Sequence, residues 1–467
     1  MMGGQDSNEE GPPEEDLTGI ATAKGEEFAQ ILREILEEVE FDRLNRELQR
    51  ELFGGDYTSA PCPMSESRID YSTIRQGLEL RASGLGSPKM TPRQKSSFEF
   101  LMFLETLPRE DLETLFGEKR RRRIDDFLDA SLFVETGDGR IRMNGLFLSS
   151  KRLGQEMHGE VIYILADSTY YVNPARVYVG PDSYELVNKL PDLRGLSGTG
   201  VDMGSGSGIQ LIAALKLFPN VRKMVGYEID KRAINVSKFN AWLNGVGDRV
   251  TIVGNEKDLE AALRSNGDQA DFALSNPPFM PVPDFIEVDP DHVQMLSVPA
   301  LARDASRAPP TKAGKKSPFQ ISLRNMWPVS GWGGPDGTYV LGPMLQILFT
   351  LIKPSGKIII YGDFAGNATG PTKIAEFIKD QGGWELNWEP CKSSLAEAGN
   401  TGHSILPSIP AQFMAEDVMA HIISGFPELL RLQYGDILMK YAQRILDVYQ
   451  SLGITHFHKG FLNLTKG

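Results

Sequence analysis

The stretch Val201-Asp202-Met203-Gly204-Ser205-Gly206-Ser207-Gly208 decides the fold. Thr199 to Met203 reads as a strand and residues 208–217, beginning Gly208-Ile209-Gln210-Leu211-Ile212, as a helix, so the glycines form the turn between them. Gly204, Gly206 and Gly208 let the backbone approach a ligand closely. The helix N-terminus beside Ser205 offers free N–H groups. By itself this turn suits a dinucleotide. It is not G-x-G-x-x-G, however, because Ile209 stands where the third glycine would, counted from Gly204.

Working outward, strands and helices alternate. Strands are expected at 199–203, 223–228, 250–253, 271–275, 357–361 and 457–464, and helices at 208–217, 231–243 and 338–352. Such alternation predicts an α/β, Rossmann-like, doubly wound and mostly parallel sheet. Asp202, two residues before the first glycine, suits the amino group of a sulfonium amino acid better than a pyrophosphate. Glu228 ends the second strand, where an acid can accept from both ribose hydroxyls. After the third strand, Asn255 or Asp258 is the candidate to meet an adenine ring.

The most informative run is Leu274-Ser275-Asn276-Pro277-Pro278-Phe279, at the carboxyl end of the fourth strand. Ligands bind at that end in open α/β sheets. The proline pair forces a turn. The Asn276 oxygen and nearby carbonyls then serve as acceptors, with the Phe279 ring beside them, a combination that suits a planar N–H₂ group.

With both motifs in order, the chain resembles the class I S-adenosylmethionine-dependent methyltransferases with an NPPF/Y motif. Within them it is similar to the small-methyltransferase-domain group, which includes release-factor glutamine and nucleobase amino-methyltransferases. The likeness covers roughly residues 174–365. It includes Gly180-Pro181-Asp182-Ser183-Tyr184-Glu185, Asn240, Asn244-Gly245 and Leu351-Ile352-Lys353-Pro354-Ser355-Gly356. The arginine usual in that family is absent before Pro181, where this chain has Gly180. The resemblance implies S-adenosyl-L-methionine held by Asp202, Gly204, Ser205, Gly206, Gly208 and Glu228, with Asn255 and Asn276 adjoining. It implies an acceptor nitrogen held by Asn276 and the Pro277 carbonyl, with Phe279 stacking. Pro181, Asp182, Tyr184 and Trp332 are further candidates for the acceptor side. The implied reaction is N-methyl transfer by direct displacement, in which positioning and desolvation matter more than a strong base. The acceptor is a small molecule or a protein; the alternative is an RNA or DNA base. A non-catalytic methyltransferase-like binding module is the reading from another class, and intact Asp202, Glu228 and Asn276 argue against it. A nicotinamide-dependent oxidoreductase is disfavoured by the missing third glycine and the NPPF run.

The 467 residues carry a net charge of −13, which at first argues against nucleic acid. Residues 1–52 hold fifteen acids against five bases, net −10, so residues 53–467 carry only −3. Two basic runs remain, Lys119–Arg123 and the stretch from Lys312 to Lys316. The first could grip phosphates, but the reading favoured is a solvated helix end beside Glu118, Asp125 and Asp126. Two cysteines cannot build a disulfide framework or a Cys-rich zinc site, and the histidines show no metal-binding spacing. No apolar run spans a membrane and the N-terminus lacks a secretion signal, so a cytoplasmic location is expected.

Residues 1–25 are expected to be disordered and 26–66 to be an amphipathic helix with a linker. Phe28, Ile31, Leu32, Ile35, Leu36 and Val39 share one helix face, which docks on the protein's own body or on a second copy as a homodimer. Residues 67–169 read as a helical, winged-helix-like domain. Thr91-Pro92 starts one helix, Pro108 starts the next, and Gly137-Asp138-Gly139 turns a hairpin. Residues 170–467 read as the catalytic domain, with a lid at 281–330 and a helical insertion at 390–452.

Overall fold

Phe28, Ile31, Leu32, Ile35, Leu36 and Val39 are all buried along one side of the helix Ala23–Glu38 and its C-cap in the computed structural model. The structure describes residues 16–53, 90–154, 159–168, 172, 175–193, 195–264, 269–288, 319–324, 331–391, 408–424 and 428–466. The chain forms two units: Met1–Asn276 with Leu351–Ile359, and Pro277–Thr350 with Ile360–Gly467.

In the first unit, the apolar side of Ala23–Glu38 packs on the protein's own helix Lys231–Leu243. Order begins earlier than the expected disordered segment 1–25 allows. Leu17 and Ile20 are fully buried, and Asp16 receives Arg176 at 2.9 Å and Asn235 at 2.8 Å. Residues 1–15 and the expected linker over 54–66 lie outside the described residues. The single helix expected from residue 26 is two helices. Glu40 takes a left-handed backbone (φ 53°), and Phe41–Phe53 follows. The break redirects the chain so that Phe41 stacks on Phe98 at 4.6 Å and Asp42 pairs with Arg152 at 2.7 Å.

Thr91 caps Pro92–Leu101 with the reciprocal Thr91–Gln94 capping box, a direct consequence of that sequence. The helices Arg109–Phe116 and Ile124–Asp129 follow. The expected hairpin forms as β1 (Phe133–Glu135) and β2 (Ile141–Met143), antiparallel. A second antiparallel hairpin, β3 (Leu146–Arg152) with β4 (Val161–Asp167), was not foreseen. It ties the expected N-terminal domain into the α/β body, so no boundary falls near residue 170. Asn240 accepts from the Leu165 N–H with its side-chain oxygen and donates its N–H₂ to the Leu165 carbonyl, both at 2.9 Å. Asn244 does the same at Tyr163, at 2.9 and 2.7 Å. Two amides one helical turn apart thus serve as a strand partner for β4, satisfying backbone groups that burial would otherwise orphan.

β5 (Gly198–Met203), β6 (Val221–Tyr227), β7 (Val250–Val253) and β8 (Ala270–Ser275) lie in the order β8-β5-β6-β7, all parallel. The helices Ile209–Leu217, Lys231–Leu243 and Glu256–Arg264 connect them. This is the mostly parallel, doubly wound arrangement expected. The strand order runs outward from β5 to β7, then returns to β8 on the other side of β5, which makes the β5/β8 edge a switch point.

In the second unit, β9 (Phe285–Val288) pairs antiparallel with β10 (Phe319–Ser322). These strands are the described ends of the expected 281–330 lid; Lys312–Lys316 lies outside the described residues. β11 (Ile352–Gly366) ends in this unit. β12 (Trp384–Pro390) pairs antiparallel with β14 (His456–Lys466), and β13 (Ser408–Pro410) also joins β14. The helices Ala411–Ser424 and Glu428–Ser451 fill most of the described part of the helical region expected at 390–452. They pack around Val282, Val288, Trp332, Tyr441, Ile445 and Phe457. Among the described residues, no helix is long and apolar enough to cross a membrane.

Candidate functional site

Register sets the geometry of the first unit. Met203 at the end of β5 faces Tyr227 of β6 and Ser275 of β8. Gly204, Glu228 and Asn276 each come next in their chains, so three strand ends deliver the turn, an acid and an amide to one edge. The Gly204 and Ser205 N–H groups both donate to the Tyr227 carbonyl, at 2.9 and 3.1 Å, pinning the turn to β6. Gly204, Gly206 and Gly208 all have positive φ. At Gly208 a Cβ would meet the Ser237 hydroxyl at 2.5 Å, so both the backbone and the space require glycine.

Asp202 is fully buried, and among the described residues no hydrogen bond of ordinary length and angle reaches either carboxylate oxygen, the Leu211 N–H being the backbone donor that comes nearest to making one. Burial pushes its carboxyl up to about 8; the nearby Leu211 N–H offsets part of this, and the Glu228 charge adds to it. The buried hydroxyls of Ser205, Ser207 and Ser237 also lack partners among the described residues. Glu228 accepts from the Gly206 N–H and the Asp230 N–H, each at 2.9 Å. Burial raises its carboxyl above the ordinary range despite those bonds. The Ile229 N–H adds a weaker backbone contact to the same carboxylate.

Asn276 donates its side-chain amide to Asp182 at 2.8 Å and reaches the Ser183 hydroxyl at 3.4 Å. Its own side-chain oxygen is buried with no partner among the described residues. Asp182 stands on the first turn of the helix Pro181–Lys189 and also accepts from the Tyr178 hydroxyl at 2.7 Å. Tyr178 and Ser183 were not singled out from the sequence, and only their nearness to Pro181 hinted at them.

Other candidates have structural duties. Pro181 is the first residue of its helix. Tyr184 is buried, with its hydroxyl on Ser149 at 2.5 Å and the Lys151 ammonium 5.6 Å from its ring centre. Burial lowers that ammonium to about 8. Asn255 is exposed and caps the helix Glu256–Arg264 through Asp258, at 2.8 and 2.9 Å. That engages both alternatives for the adenine contact with each other.

The second unit begins at Pro277, which is buried. Phe279 packs edge-on to Tyr361, with ring centres 6.0 Å apart. Trp332 is buried in the core of this unit and donates its indole N–H to Val282 at 3.0 Å; Arg324 lies 4.5 Å over its ring. Its polar handle is therefore engaged within the fold. Among the described residues, no group of three or more His, Cys, Asp or Glu could hold a metal ion.

The basic run Lys119–Arg123 has partners other than its neighbours in sequence. Arg120 pairs with Glu34 at 2.8 Å and Glu38 at 2.7 Å, and Arg123 with Glu27 at 2.6 Å. Of its expected acidic neighbours, Asp126 also pairs with Arg123.

The model of the ribosomal protein L11 methyltransferase family matches residues 192–276. The chain is 50% identical over 85 residues to the ribosomal protein L11 methyltransferase of Escherichia coli (strain SMS-3-5 / SECEC), covering 18% of this chain and 25% of that protein. It is 44% identical over 71 residues to the protein of the same name from Glaesserella parasuis serovar 5 (strain SH0165), covering 15% and 20%. The chain thus spans a quarter or less of the length of these curated relatives. Among solved structures, a ribosomal protein L11 methylase from Lactobacillus delbrueckii subsp. bulgaricus is similar at 14% identity and a TM-score of 0.24, covering 44% of this chain and 70% of that one. A SAM-dependent methyltransferase from Geobacter sulfurreducens, in complex with S-adenosyl-L-homocysteine, is similar at 14% identity and a TM-score of 0.27, covering 61% and 90%.

Proposed function

We propose that this chain is an S-adenosylmethionine-dependent methyltransferase that methylates a nitrogen carrying N–H, with a protein as the favoured acceptor. One observation carries the reading. The register of β5, β6 and β8 brings Asp202, Glu228 and Asn276 to one sheet edge, and the Asp202 oxygens and the Asn276 oxygen are buried there without partners among the described residues. Buried polar groups without partners are costly, and a ligand that satisfies them accounts for their survival.

The residues fit the cofactor. Asp202 offers a buried carboxylate to a cationic amino group, Glu228 offers its carboxylate to ribose hydroxyls, and the turn from Gly204 to Gly208 leaves the backbone open. When bound, the sulfonium supplies an activated methyl group. The Asn276 oxygen accepts an N–H from the acceptor and orients its nitrogen lone pair, which is a positioning role. Pro277 and Phe279 follow directly in the chain and remain candidates for the acceptor side. The relatives' name, ribosomal protein L11 methyltransferase, favours a protein acceptor over a small molecule, and the family model matches residues 192–276, which include Asp202, Glu228 and Asn276. The pairing of Arg120 and Arg123 with acids weakens the case for a nucleobase acceptor.

Isothermal titration with S-adenosylmethionine tests the reading. Saturable binding at micromolar concentrations is expected, and its absence at millimolar cofactor overturns the enzyme assignment.

A further inference from the structure

Asn276 can act as an acceptor only if its amide does not flip, and the chain contains a device that prevents the flip. The Asn276 N–H₂ faces Asp182 at 2.8 Å. A flipped amide would set its oxygen against the Asp182 carboxylate at the same distance, with no proton between two acceptors. The other Asp182 oxygen is held by the Tyr178 hydroxyl at 2.7 Å, so the carboxylate is fixed from both sides. Gly180 makes this possible. Its φ is −152°, which any residue adopts, but a Cβ there would overlap the Tyr178 hydroxyl. The missing side chain is what lets Tyr178 reach Asp182. This is also the position where the chain lacks the arginine usual in the family it resembles.

We infer that Asp182, fixed by Tyr178 in the space left by Gly180, is a positioning residue that locks the Asn276 amide so that its oxygen is the atom left free. The inference rests on the proposed role of Asn276 in methyl transfer and assigns the residues that set its orientation. Asp182 is thereby assigned to holding Asn276, with one of its oxygens accepting from Asn276 and the other from Tyr178.

The test uses the full chain labelled with [¹⁵N]asparagine. The Asn276 side-chain amide signal is identified by its loss in Asn276→Ala. Exchange of that amide with solvent is followed by NMR, alongside melting temperature and S-adenosylmethionine affinity. Asp182→Asn should speed exchange at least tenfold, and Tyr178→Phe and Gly180→Ala about threefold, with cofactor affinity within twofold of the parent. Exchange within a factor of 1.5 of the parent in folded Asp182→Asn overturns the inference. If Asp182→Asn does not fold, unchanged exchange in both Tyr178→Phe and Gly180→Ala overturns it. Failure of the parent to bind S-adenosylmethionine would sink the proposed function while leaving the exchange result to decide the lock.

Discussion

Around the helix Ala23–Glu38, charges meet partners: Glu27 holds Arg123, Glu34 and Glu38 hold Arg120, and Glu38 also holds Arg93. At the carboxyl ends of β5 and β8, in the same unit, the Asp202 oxygens and the Asn276 oxygen are buried with none among the described residues. Both regions are rich in polar groups, yet only the second bears an uncompensated cost. Exposed pairs fasten a helix to its neighbours at low cost, whereas buried groups without partners destabilise the fold unless something else binds them. The difference separates the part that is held together from the part that is held ready.

The sharpest way to break this comparison is Asn276→Ala. Transfer of labelled methyl from S-adenosylmethionine should fall about 10²–10³-fold, with calorimetric cofactor affinity within about threefold. Turnover equal to the parent would make the free oxygen a structural accident. Next comes the packing that the ion pairs surround. Ile35 is fully buried, so Ile35→Ala should cost about 3 kcal/mol in urea unfolding. A loss under about 1 kcal/mol would mean that the helix docks only by its charges.

Asp202 sharpens the contrast through pH. Its carboxyl titrates near 8 when folded, against about 3.9 in an unfolded chain. The folded chain therefore keeps a proton that the unfolded chain releases. This contribution to stability is whole below about pH 4 and is lost as pH rises toward 8. Without cofactor, Asp202→Asn should flatten the decline in stability between pH 5 and 8 by about 2 kcal/mol, since water entry relieves part of the burial cost. Parallel pH profiles for the variant and the parent would remove Asp202 from the argument.

The smallest effect belongs to the satisfied region. Arg120→Ala should cost about 0.5–1 kcal/mol, shrink in high salt, and leave cofactor affinity unchanged. Its partner Glu38 is held down to about 2, chiefly by its hydrogen bond to Arg120, but it is largely exposed, so solvent screening limits what the pair contributes.

Much of the fold was legible in local pattern. The capping box at Thr91, the hairpin after Leu132, the helix 231–243 and the strand at 250–253 follow from caps, turns and periodicity within a few residues. The second hairpin was not, because β4 is completed by side-chain amides from Asn240 and Asn244, about 80 residues away in the chain. The extent of the N-terminal disorder is missed for the same reason. Few apolar side chains suggest disorder over residues 1–25, but Leu17 and Ile20 are buried, and on the docking helix that follows three glutamates pair with arginines in the basic run. Net charge counts ions without recording which of them meet.

The sequence by itself determined the glycine turn, the strand-end carboxylates and Asn276, because each depends on backbone conformation and residue type at one place. Tertiary structure alone decided which of those polar groups are satisfied. Whether Glu34 or Asp202 finds a partner depends on what is packed beside it, and whether the Asn276 amide is locked depends on a tyrosine hydroxyl that reaches Asp182 only where Gly180 has no side chain. Hydrogen bonding and desolvation act over a few ångströms of space, and distance along the chain does not measure that space.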